Sequence, residues 1–165
     1  MPNLKLQVSR ALNVIPSQNT NIPMPNVIVT SIATGTSAGI LIDSTKNFSS
    51  SGVNPLNVQV GDIVYNTTAS SAAMVTKVYN ATQLILSGGI TINIGDSYTL
   101  YSGTNIPGSI EPCVLYVGTG GDLDVTTAGG DVVTFVGIAS GTFLPVQVIR
   151  VNSVGDTTAN IIALW

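Results

Sequence analysis

The chain has 165 residues, of which 44% are hydrophobic and only 8% charged, with a net charge of −3 and no histidine. This length allows one or two small domains with a true apolar core, so neither disulfide nor metal staples are needed. The charged fraction is far below the roughly 25% of ordinary soluble domains, and the five cations, Lys5, Arg10, Lys46, Lys77 and Arg150, are scattered, which argues against a phosphate-tracking surface and against nucleic acid as a partner.

Residues 1–25 differ from the rest. Pro2, Pro16, Pro23 and Pro25 punctuate a segment in which Leu4, Leu6 and Val8 alternate and Leu12, Val14 and Ile15 follow. Proline holds its neighbours extended, so the segment reads either as a frayed terminus or as an extended arm that docks on a neighbouring subunit. The opening MPNLKLQVSRALN has no continuous apolar core, so Sec-type export is not expected. No stretch approaches the ~20 apolar residues of a membrane helix, and no membrane partner is expected.

Residues 26–103 read as a first β unit, barrel-like. Strand candidates begin at Val27-Ile28-Val29 and Gly39-Ile40-Leu41-Ile42-Asp43, with a turn over Gly35 to Gly39 between them. A polar loop from Asp43 to Asn57 follows, in which Pro55 bars a central strand. Two short runs then flank Gly61-Asp62, within residues 58–66. Ala73 to Tyr79 and Gln83 to Leu86 join across Asn80-Ala81-Thr82. Ile90 to Ile94 alternates strictly, and Gly95-Asp96 turns into Ser97 to Tyr101. Short runs separated by turn residues favour a small barrel or sandwich over any helical layout.

Val60-Gly61-Asp62-Ile63-Val64-Tyr65 is echoed thirty-four residues later by Ile94-Gly95-Asp96-Ser97-Tyr98-Thr99. Gly-Asp also occurs at Gly121-Asp122, Gly130-Asp131 and Gly155-Asp156. The echo therefore reads as a shared turn solution rather than a duplicated domain.

Residues 104–112 read as a linker rich in Gly, Pro and Ser. Residues 113–165 read as a C-terminal β-sandwich domain with strands over Cys113–Gly118, Leu123–Thr127, Val132–Val136, Leu144–Val151 and Ala159–Leu164. Gly118 to Gly121 and Gly129-Gly130 supply hairpin positions. The expected fold class is all-β, two small antiparallel barrel or sandwich units with an extended N-terminal arm.

Chemistry is scarce. Without histidine, neither a Ser-His-Asp nor a Cys-His arrangement can be built, and the usual zinc ligand is missing. Asp122 and Asp124 fall on one strand face, with Asp131 nearby. That pair suits a calcium ion or two hydrolytic acids, but a solvated hairpin end explains it more simply. Gly118-Thr119-Gly120-Gly121 lacks the lysine and the helix of a phosphate loop. Cys113, the single cysteine, lies in an apolar run and reads as a small buried hydrophobe. Tyr65, Tyr79, Tyr98, Tyr101 and Tyr116 offer a sugar platform or, more simply, cross-strand packing. Trp165 either closes the core of its own domain or fills a subunit interface. No catalytic, cofactor or metal residues are expected.

The segments Thr126-Thr127-Ala128-Gly129-Gly130-Asp131, Ser140-Gly141-Thr142-Phe143-Leu144-Pro145-Val146 and Ile162-Ala163-Leu164-Trp165, with Leu41 to Phe48 and Val60 to Thr68 further back, resemble β modules of tailed-bacteriophage virion proteins. The likeness is to small capsid decoration (cement) and head spike-base proteins. The resemblance implies a non-enzymatic structural part, a homotrimer on the phage head, bound to the major capsid protein. It does not separate cement from a spike or tail-fibre base with glycan contact. Interface residues are expected at Leu4, Leu6, Val8, Leu12 and Ile15 of the arm, and at Phe143 and Trp165.

Overall fold

The computed structural model describes residues 8–103, 111–153 and 156–165. The strands, in chain order, are β1 (Ala11–Asn13), β2 (Val27–Ile32), β3 (Ser37–Ala38), β4 (Ile40–Ile42), β5 (Ile63–Asn66), β6 (Ser71–Asn80), β7 (Gln83–Leu86), β8 (Thr91–Ile92), β9 (Ser97–Tyr101), β10 (Cys113–Thr119), β11 (Gly121–Thr127), β12 (Val132–Ile138), β13 (Thr142–Val151) and β14 (Ala159–Leu164). The protein is all-β, with antiparallel sheets. The single helical turn among the described residues is a 3-10 turn at Ser87–Gly89.

The chain divides into two compact units, Ile15–Glu111 and Pro112–Trp165, the latter joined by the residues up to Val14. The first unit carries a six-stranded sheet in the order β2-β9-β5-β6-β7-β4 and a two-stranded β3-β8 ribbon. Its core holds Leu41, Phe48, Val64, Val75, Leu84, Ile92, Tyr98 and Leu100. Strand β5 is buried at every position, as a central strand with both faces covered should be.

The two echoed Gly-Asp segments fold identically. In each, the aspartate N–H donates to the carbonyl three residues back (Asp62 to Gln59, 3.2 Å; Asp96 to Asn93, 3.0 Å). The aspartate carboxylate accepts from that same residue's N–H, at 2.8 Å and 2.9 Å. Gly61 and Gly95 sit at φ 101° and 91°, a conformation that L side chains rarely adopt. The likeness extends outward. Gly61 and Asp62 exchange two main-chain bonds with Val75, and Gly95 and Asp96 exchange two with Ala33. Asp62 also accepts from the Gly103 N–H beyond the end of β9, and Asp96 accepts from the Asn66 side chain at the end of β5. Strands β5 and β9 are antiparallel neighbours, so each turn fastens the start of its own strand to the far end of the other. A local two-fold relation results, built from one turn used twice.

The second unit is one six-stranded sheet in the order β1-β14-β10-β13-β11-β12. Strand β13 is shared between two wings: its residues 142–148 pair with β10 and its residues 148–151 with β11. Period-two alternation drives Cys113, Leu115 and Val117 of β10 and Leu123 and Val125 of β11 inward. Val148 and Val151 of β13 and Ile161 and Ala163 of β14 complete the barrel-like apolar interior.

The expected boundaries need correction at the N-terminus. The arm expected over residues 1–25 is divided between the two units. Ala11, Leu12 and Asn13 pair with Leu164, Ala163 and Ile162, because β14 would otherwise leave a row of edge donors and acceptors unpaired. Ile15 opens the other unit, in which Ser17, Thr20, Asn21 and Ile22 are buried. The first unit therefore starts at Ile15 and not at residue 26. Residues 104–110 of the expected linker lie outside the described residues. Ile90 to Ile94 was expected as one strand, but only Thr91–Ile92 forms it, since Asn93 is already engaged in the turn.

Candidate functional site

The described residues of the expected interface belong to both units. Leu4 and Leu6 lie outside the described residues. Val8 is exposed, and Leu12 and Ile15 are half-buried on different units. Trp165 is half-buried. Its main-chain oxygen accepts from the Ser9 N–H at 2.7 Å, and its N–H donates to the Arg10 carbonyl at 3.0 Å. This end of β14 is thereby stitched to its own chain. Phe143 is 58% exposed and leans on Tyr116, ring centroids 5.1 Å apart at 57°. On that outer face of the second unit, Tyr116 pairs with both Phe143 and Ile162.

The titratable groups are engaged in structure. Asp122 Oδ1 accepts from the Gly137 N–H at 2.8 Å, and Asp124 accepts from the Thr134 hydroxyl at 3.3 Å. Both bonds tie β11 to its neighbour β12. Among the described residues no group of three or more His, Cys, Asp or Glu side chains is placed to hold a metal ion. Burial raises the Asp43 carboxyl, but hydrogen bonds from Thr45, Ser31 and Tyr98 outweigh it and leave the group below its ordinary value. Asp96 is held low by the Asn93 N–H and the Asn66 amide, whereas burial pushes Asp62 up against the N–H groups of Gln59 and Gly103. Burial also pushes the Cys113 thiol up to about 12, which removes the thiolate that nucleophilic chemistry requires.

Three of the five tyrosines are interior. Tyr98 is fully buried, and Tyr65 meets Tyr101 edge to face at 5.3 Å. Packing, rather than a sugar platform, accounts for them. Tyr79 is exposed, with the Lys77 ammonium 5.9 Å from its ring centre. An open depression in the first unit is lined by Ser44, Thr45, Lys46, Asn47 and Asn54 together with Val29, Val53 and Leu56.

What the sequence reading missed is the character of β12. It ends its sheet, carries no charged residue and no proline, and leaves Val132 67% and Val136 79% exposed. Natural edge strands are usually blunted by lysine, proline or a covering segment. The signal was present in VVTFVGI, whose apolar residues occupy both parities of the alternation, but the sequence does not reveal which strand lies outermost.

No protein-family model, no curated protein and no solved structure matches this chain.

Proposed function

We propose that this protein is a non-enzymatic structural component of a tailed-phage virion, a decoration protein that covers and stabilises the outer surface of the head. The observation that carries this reading is a pairing of features. Aspartates at the turns and strand ends (Asp43, Asp62, Asp96, Asp122, Asp124) are used in hydrogen bonds that hold the fold. At the same time, uncharged apolar side chains stand exposed at Val27, Ile32, Val53, Val60, Ile94, Val132, Val136 and Phe143. Such a surface is suited to being covered by neighbours through packing and hydrogen bonds. The resemblance of the Thr126–Asp131, Ser140–Val146 and Ile162–Trp165 segments supplies the virion context. The partner is then the major capsid protein, and self-association on the shell accompanies it.

Quantifying this chain in purified virions tests the reading. A copy number comparable to the major capsid protein is expected. Abundance at the level of a single tail or portal ring removes the decoration role and favours the second reading, a head-spike or tail-fibre base. That reading has one observation of its own, the hydroxyl- and amide-lined depression around Ser44, Thr45, Asn47 and Asn54, whose donors and acceptors suit a neutral polysaccharide.

A further inference from the structure

We infer that β12 is a self-complementary edge, and that a second copy of this chain pairs with it, antiparallel, across a two-fold axis at Thr134. The inference stands independently of the virion reading.

The direction of the free backbone groups follows from the hairpin that precedes β12. The Thr127 N–H donates to the Asp131 carbonyl at 2.9 Å, so Thr127 and Asp131 form a closely bonded pair. In an antiparallel ladder such pairs alternate. Val133 opposite Val125 and Phe135 opposite Leu123 therefore turn their N–H and C=O groups toward β11. Val132, Thr134 and Val136 turn theirs outward, where no described strand lies. Water can meet such a row, and an extended backbone meets it with matched, regularly spaced partners.

The sequence of the edge names its occupant. With the axis on Thr134, Val132 faces the second copy's Val136, Thr134 faces Thr134, and Val136 faces Val132. All three positions have outward backbone groups, so each pair closes a double hydrogen bond. On the other side of the sheet Val133 meets the second copy's Phe135. Val–Val, Thr–Thr and Val–Phe are favourable cross-strand pairs. Charge agrees as well: Asp131, the nearest acid, falls opposite Gly137 and not opposite another Asp131, so no like charges meet. The flat stretch ends there, because Gly137 adopts φ 67° and its N–H is taken by Asp122. An axis at Thr134 uses the whole of the flat stretch. This two-fold contact is isologous and differs in kind from the heterologous contacts that close a trimer ring.

Sedimentation of the full chain over a wide concentration range, with two variants, tests the pairing. Val132→Pro removes an outward N–H that β11 does not use, at the first residue of the strand, so the fold tolerates it, while Val136→Lys places a charge at the seam. The native chain is expected to show a monomer–dimer equilibrium, and each variant to raise its dissociation constant by about tenfold or more. Thr134→Cys is expected to be joined to its partner by a short bis-maleimide, since bonded antiparallel partners lie about 5.5 Å apart at Cα. A native chain that remains monomeric at the highest soluble concentration overturns the pairing. So does an assembly of any size that both folded variants leave unchanged, or one in which Thr134→Cys does not cross-link.

Discussion

The Tyr98 hydroxyl donates a 2.7 Å hydrogen bond to the Asp43 carboxylate, and neither side chain has any exposure to solvent. The same carboxylate accepts from the Thr45 N–H and hydroxyl at 2.9 Å and 2.6 Å. The bond joins the start of β9 to the turn after β4, fifty-five residues apart. Tyr98→Phe leaves one acceptor of a buried carboxylate unmet, and is expected to cost about 1–3 kcal/mol in urea unfolding at pH 7.

The pH dependence of that bond has a definite sign. The Asp43 carboxyl is held below its ordinary 3.8, so its contribution is present above that value and lost as pH falls through the lower folded value. The stability gap between native protein and Asp43→Asn should be constant near neutrality and narrow below about pH 4. Tyr98 is raised well above its ordinary 10.0, chiefly by burial. Native protein should therefore lose stability as pH rises past about 10, and Tyr98→Phe should remove part of that loss. Parallel urea titrations at each pH check both.

The twin turns should show opposite pH trends on the same substitution. Asp96 is held low, so Asp96→Asn should lower the melting temperature at neutral pH, with the loss fading in acid. Asp62 is raised by burial, so its charge is carried at a cost near neutrality, and that cost grows as pH rises through its folded value. Asp62→Asn loses one of the two N–H bonds that the carboxylate accepts, so it should destabilise, with a loss that shrinks as pH rises toward neutrality. Gly95→Ala meets no atom within 4 Å but must hold φ 91°, a backbone strain of about 1–3 kcal/mol. Calorimetry of the three variants measures the contrast.

Cys113 is 1% exposed, and its Sγ faces the Val148 carbonyl at 3.4 Å. With the thiol pushed up to about 12, a disulfide reagent at pH 8 should react with native protein only at the rate of unfolding, and at once in denaturant. Prompt stoichiometric reaction of the folded chain would falsify the placement of Cys113 in the interior.

Removing residues 1–14 deletes β1 and uncovers the β14 edge, including the bonds of Trp165 to Ser9 and Arg10. The truncated chain should lose stability in the second unit. This separates a strand held in its own sheet from a free docking arm, whose loss would leave unfolding unchanged and weaken only attachment. Hydrogen exchange at Ile161 to Leu164 is the sensitive readout, and faster exchange there is expected.

Much of the fold was legible because turn chemistry is local. Gly-Asp, Gly-Gly and Asn-Ala-Thr fix where the backbone reverses, and Val, Ile, Leu and Tyr between them alternate with the period of a half-buried strand. Strands β7, β9 and β14 accordingly lie where the sequence places them. The echo of Gly61-Asp62 in Gly95-Asp96 is readable as a common turn for the same reason. The opening segment was misread because its partner is remote: Leu12 sits opposite Ala163, and no pattern within residues 1–25 encodes that distance.

The sequence by itself determined that this is a low-charge, all-β chain without histidine, since residue types set the available donors and acceptors. Only the tertiary structure decided what each acid is used for. Asp122 and Asp124 bond Gly137 and Thr134 and so fasten β12. It also decided which strand lies outermost. Sheet order is a property of non-local pairing, governed by long-range packing rather than by local propensity, and that order turns the ordinary-looking run from Val132 to Ile138 into an open, uncharged edge.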